Sequence, residues 1–116
     1  PEAPAHLTEA AAEIWVTVWL AGEGFYMPAV DSLTIERYAV LAGRRAEMLG
    51  TLTREGETSI GSTGQVIIHP VARLLDTIES KMVVLEDRLG LNPASRLNLG
   101  MAVVKTTSSL DKYLSS

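Results

Sequence analysis

The sequence predicts a mainly α-helical fold, and three observations predict it. Apolar residues recur at three- and four-residue intervals along three separate stretches of the chain. Each stretch opens on a residue that caps a helix or on a proline suited to a first helical position. Between the second and third stretches, from Glu55 to His69, the period is lost and glycines divide the chain into short runs. The expected architecture is therefore a helical domain with a short β-hairpin or ordered loop between the second and third helices.

Residues 1–7 are rich in Pro and Ala and are expected to be extended. Thr8 caps a first helix running to about Ala21, with Glu9 placed favourably at its positive end. Ile14, Trp15, Val18 and Trp19 give that helix a broad apolar face, and Gly22 and Gly24 end it. Phe25-Tyr26-Met27-Pro28 reads as an apolar loop packed under the domain. Asp31 or Ser32 is the expected cap of a second helix reaching about Thr53. Its periodic residues are Ile35, Tyr38, Ala39, Ala42, Ala46, Leu49 and Leu52. Gly43 costs such a helix about 1 kcal/mol relative to Ala, which points to another helix packing closely there.

Thr58-Ser59-Ile60 and Gln65-Val66-Ile67-Ile68 are the two candidate strands of the interruption. Pro70 opens a third helix lasting to about Leu89, with Val71, Leu74, Leu75, Ile78, Met82, Leu85 and Leu89 in one stripe. Glu79 and Lys81 fall outside the stripe. So do Val83 and Val84, which mark a second apolar surface, turned either to the rest of the domain or to a neighbouring subunit. Gly90 suits the left-handed residue that ends this helix. Asn92 and Pro93 then cap and open a short last helix, placed within residues 94–104 and interrupted near Gly100. Thr106-Thr107-Ser108-Ser109 reads as a linker before Leu110, Tyr113 and Leu114, a frayed end or a docking peptide.

At 116 residues the chain makes one domain: 47% of it is hydrophobic and 21% charged. No apolar run approaches the roughly 20 residues of a membrane span. With no cysteine, disulfides, zinc–thiolate sites and thiol catalysis are excluded. His6 and His69 stand alone, a pattern that suits structural hydrogen bonding. Gly61-Ser62-Thr63-Gly64 lacks the lysine and spacing of a phosphate-binding loop. No metal-ligand spacing, cofactor motif or catalytic constellation emerges, and the expectation is a protein that is not an enzyme. The first two helices are joined by about nine residues, against the 3–4 of a helix-turn-helix, which disfavours a transcription factor of that type. Arg37, Arg44 and Arg45 lie on the second helix with Arg54 just after it. They read either as an exposed strip for phosphates or as partners of Glu36, Glu47 and Glu55.

Leu89-Gly90-Leu91-Asn92-Pro93-Ala94-Ser95-Arg96 resembles the carboxy-terminal signature of a family of phage terminase small subunits: Leu-Gly-Leu, a variable residue, Pro, two small or polar residues, then Arg. Three further anchors occur in the same order. Pro4-Ala5-His6-Leu7 precedes an acidic helix carrying Trp15, Asp31-Ser32-Leu33 opens a helix with Tyr38, and Gly64-Gln65 is followed by His69-Pro70. Together they cover roughly residues 4 to 100.

That resemblance implies a homo-oligomeric ring in the host cytoplasm. The ring recognises double-stranded viral DNA and regulates a separate large terminase subunit, the packaging ATPase and nuclease. It also implies a division into an oligomerisation core, 8–104, and a tail, 105–116, that docks on the large subunit through Leu110, Tyr113 and Leu114. DNA contact is expected at Arg37, Arg44, Arg45 and Arg54, and subunit contact at Val83, Val84, Phe25 and Met27. The formal net charge of −4 is the wrong sign for gripping DNA. The chain begins at Pro1, and a basic segment of the kind the family carries before this point is expected to supply that charge. The rival is a non-enzymatic helical adaptor, such as a head–tail connector component or a host interaction module.

Overall fold

The computed structural model describes residues 1–61 and 63–101. The element order is α1 (Glu9–Ala21), α2 (Pro28–Glu55), β1 (Thr58–Ile60), β2 (Val66–Ile68), α3 (Pro70–Leu89) and α4 (Pro93–Leu99). The fold is mainly α, and the interruption is a hairpin. Its strands pair antiparallel, with Thr58 opposite Ile68, Ser59 opposite Ile67 and Ile60 opposite Val66.

The Thr8 hydroxyl accepts from the Ala11 amide at 3.2 Å, as a helix start needs. α1 buries Ala11, Trp15 and Val18. It crosses α2 at Gly43, where a Cβ would stand 3.2 Å from Ala11 Cβ and 3.3 Å from Thr8 Oγ1. A side chain there would be tight and would ask Ala11 or Thr8 to give by a few tenths of an ångström, which glycine avoids. The resulting core cluster is Ala11, Trp15, Val18, Ile35, Ala39 and Leu89, with Ile35 completely buried.

The amino-terminal segment is not the extended stretch expected. The Leu7 amide donates to the Pro4 carbonyl at 3.1 Å and turns the chain over α1. The Trp15 indole N–H donates to the Pro1 carbonyl at 3.0 Å, and Ala3 and Leu7 pack on the core. A buried indole N–H favours an acceptor, and for Trp15 the turned segment provides one.

α2 begins earlier than the Asp31 or Ser32 cap predicted. Pro28 takes a first helical position, and the Asp31 carboxylate accepts from the Met27 amide at 2.7 Å from inside the first turn. The connector from α1 is thus residues 22–27, still longer than a helix-turn-helix allows. Within it, Tyr26 docks edge-on to Trp19, their centroids 5.7 Å apart, and its hydroxyl donates to the Leu89 carbonyl. Met27, expected beneath the domain, is 60% exposed.

α3 is capped by His69, whose Nδ1 accepts from the Val71 amide at 3.0 Å. Its apolar stripe is buried at Ile78, Met82 and Leu89, whereas Leu74 is 54% exposed. The expected continuous burial fails toward the hairpin because the core cluster that α1 completes includes α3 only near its other end, at Leu89. The corner to α4 is built as predicted. Gly90 is left-handed at φ 74°. Asn92 and Ser95 form a reciprocal capping box: the Asn92 side chain accepts from the Ser95 amide at 2.9 Å, and Ser95 Oγ accepts from the Asn92 amide at 3.4 Å. α4 stops at Leu99, before left-handed Gly100, the interruption expected there; Met101 is helical again, and residues 102–104 lie outside the described residues. No helix among the described residues is long and apolar enough to cross a membrane.

Candidate interaction groove

α2 and α3 are adjacent helices joined through the hairpin, and each is too long for α1 to cover every face. On one side of the pair, Val40 and Leu41 of α2 and Val84 and Leu85 of α3 form an apolar floor. Arg37, Arg44, Lys81 and Ser80 border it, with His6 and Glu36 beside them. The groove has a volume of about 720 Å³. Its residues recur at helical spacing, 37, 40, 41 and 44 on one helix and 80, 81, 84 and 85 on the other, which places each set on one face. Arg37, Arg44 and Lys81 are exposed. The one carboxylate among these residues, Glu36, lies 2.9 Å from His6 Nε2. The balance of charge along the groove is therefore positive.

Across α2, Arg45 points away from this groove. It lines a second hollow with Glu13, Tyr38, Glu79 and Glu86, and its guanidinium is paired with the Glu79 carboxylate. Successive residues on a helix are rotated by about 100°, so Arg44 and Arg45 face different partners. The single arginine strip expected from sequence is split in two. The pairing of arginines with Glu36 and Glu55 is also replaced: Glu36 faces His6, and Glu55 lies 3.7 Å from His69 Nε2. In the second hollow the Tyr38 hydroxyl donates to Glu86 at 2.7 Å. Burial and the adjacent Glu86 carboxylate push the Tyr38 phenol pKa well up.

The remaining sequence candidates lie apart. Arg54 is in the last turn of α2, its guanidinium 3.4 Å from Thr51 Oγ1. Val84 is in the groove floor and 49% exposed, and its neighbour Val83 is 54% exposed. Phe25 is half-buried against the Tyr26 ring, 6.0 Å away, and Met27 stands at the start of α2. Leu110, Tyr113 and Leu114 lie outside the described residues. The main helical periods do not single out Lys81 or the Val40–Leu41 pair, since Lys81 is off the α3 apolar stripe and the pair is off the α2 period. That departure, repeated on both helices, was the available signal of a second face.

The groove thus offers apolar area beneath a positive border. In comparison with known proteins, the family model for the phage terminase small subunit matches residues 11–105. No curated protein and no solved structure matches the chain.

Proposed function

The chain belongs to the phage terminase small subunit family, whose role is in DNA packaging, and from that premise we propose that it works as a ring of identical copies. The ring recognises double-stranded viral DNA in the host cytoplasm and regulates the large subunit that supplies ATPase and nuclease. In this reading Leu89–Arg96 is the family's signature corner, residues 8–104 form the oligomerisation core, and residues 105–116 dock on the large subunit.

The observation that carries the proposal is the groove, whose lining apart from His6 falls within the family-matched residues 11–105. Val84 is half exposed beside the part-buried Val40, Leu41 and Leu85, and a partner subunit seated there removes that apolar area from water. Repetition around a ring then multiplies weak DNA contacts through effective concentration. Of the four arginines expected to meet phosphate, Arg54 stands clear of the groove and we assign it that contact. Arg45 is held by Glu79, and Arg37 and Arg44 border an apolar floor that suits a protein surface better than a phosphate chain.

The net charge of −4 favours one second reading, a non-enzymatic helical adaptor of the head–tail connector kind. Two measurements decide. Light scattering is expected to give a mass several times 12.5 kDa, and retardation of duplex DNA by the oligomer is expected to weaken steeply with salt. An oligomer that retards no DNA at low salt selects the adaptor. Deleting residues 106–116 is expected to leave mass and DNA retardation unchanged while abolishing stimulation of the large subunit's ATPase. A deletion that breaks the oligomer places the tail in the core instead.

A further inference from the structure

We propose that the α2–α3 groove is the acceptor half of the contact between copies, and that the donor is the outer stripe of α1 from a second copy of this chain. This inference rests on the oligomeric reading above and specifies its interface.

The donor stripe is Glu9, Glu13, Val16 and Leu20, spaced by four, three and four residues and hence on one face of α1. The other face is spent on the core through Ala11, Trp15 and Val18. Val16 is 51% exposed and Leu20 64%, so α1 presents two carboxylates followed by two aliphatic side chains to solvent. The groove is the counterpart in both respects. Val40, Leu41, Val84 and Leu85 form an apolar floor, and Arg37, Arg44 and Lys81 are the cations around it. Seated there, Val16 and Leu20 meet the floor and Glu9 and Glu13 meet the cations.

Charge selects this pairing over the symmetric ones. Groove against groove brings arginine and lysine onto arginine and lysine. α1 against α1 sets glutamate against glutamate when the helices run parallel and against Val16 or Leu20 when they run antiparallel, and in neither case against a cation. Like charges across a contact are costly, and only the groove–α1 combination joins opposite signs. The two surfaces also lie on different sides of the molecule: Arg44 lines the groove, whereas Glu13 borders the hollow containing Arg45 and Glu79. One copy can therefore donate and accept at once. Such a contact is heterologous, and it closes into a ring when the rotation per step allows.

The test uses exposed positions so that folding is preserved, with far-ultraviolet circular dichroism as the check. Glu9→Lys with Glu13→Lys alters the donor, and Arg37→Glu with Lys81→Glu alters the acceptor. Each pair alone is expected to reduce the mass from light scattering toward the 12.5 kDa monomer. All four changes in one chain restore opposite signs and are expected to recover the wild-type mass. Val84→Asp, which places a charge on the floor, is expected to be monomeric in either background. An oligomer whose mass neither pair changes overturns this interface while leaving the oligomeric reading intact. A wild-type chain that is itself 12.5 kDa overturns both. Groove variants that keep the mass but lose DNA retardation make the groove a nucleic-acid surface, which also overturns the proposal.

Discussion

Removing one hydroxyl group, by Tyr26→Phe, tests how the α1–α2 connector is fastened to the end of α3. The Tyr26 hydroxyl donates to the Leu89 carbonyl, and its ring lies edge-on to Trp19 and against Gly22. At neutral pH the variant loses that hydrogen bond and is expected to be less stable by about 1 kcal/mol. The same geometry imposes a pH signature. Burial, assisted by the Asp31 charge, pushes the Tyr26 phenol up from 10.0 to about 12. Below pH 10 the phenol is protonated in both the folded and unfolded chain, and its stabilising contribution is complete. Between pH 10 and about 12 the unfolded chain releases the proton while the folded one retains it, so stability falls. The ceiling on that fall is about 2.7 kcal/mol. Because the residue is only half-buried, solvent screening reduces the expected loss to ~1 kcal/mol. Urea denaturation followed by circular dichroism from pH 8 to 12, on both proteins, reads the difference. Tyr38 is common to both and cancels. The wild-type advantage at pH 8 should shrink to nearly nothing by pH 12. Stability curves that stay parallel across this range would refute the placement of the hydroxyl against α3.

Three further substitutions probe separate links. Ile35→Ala empties a completely buried site in the core cluster and is expected to cost about 2–5 kcal/mol in urea denaturation, with the slope m unchanged. Asn92→Ala removes half of the capping box opening α4 and is expected to cost ~1 kcal/mol, read as a lower thermal midpoint. Arg45→Ala breaks an ion pair between two exposed side chains and is expected to change stability by less than about 1 kcal/mol and to leave the oligomer mass unchanged. A large loss of mass in that variant would place the Arg45 side of α2 in the subunit contact.

The helix ends that were legible in the sequence are those set by local chemistry. Thr8, Pro70, Gly90 and Asn92 all act within a turn of where they stand, and each does what its residue type predicts. The start of α2 escaped because its polar group works backwards: Asp31 lies inside the first turn and reaches Met27. Helical period exposed Val84 as a residue off the α3 stripe, but it could not say which face of α2 would lie beside it. That depends on the register of two helices far apart in sequence. The separation of Arg44 from Arg45 has the same origin. Both are exposed arginines in sequence, and only the placement of Glu79 on α3 distinguishes them. Gly43 was legible for a different reason, since a glycine inside a long helix is unfavourable unless something needs the space.

The hairpin between α2 and α3 carries a consequence for how the molecule comes apart. Ile60 is 77% exposed and Val66 72%, and among the described residues the core cluster draws on neither strand. Two strands alone are marginally stable in water, so cohesion is lopsided along the α2–α3 pair, greatest where Ile35 and Leu89 meet Trp15. A protease that cuts the turn between β1 and β2 severs the chain without disturbing a core contact. Its two products, one ending with β1 after α2 and the other beginning with β2 before α3, would remain together as a noncovalent pair, as if the molecule had always been assembled from two peptides.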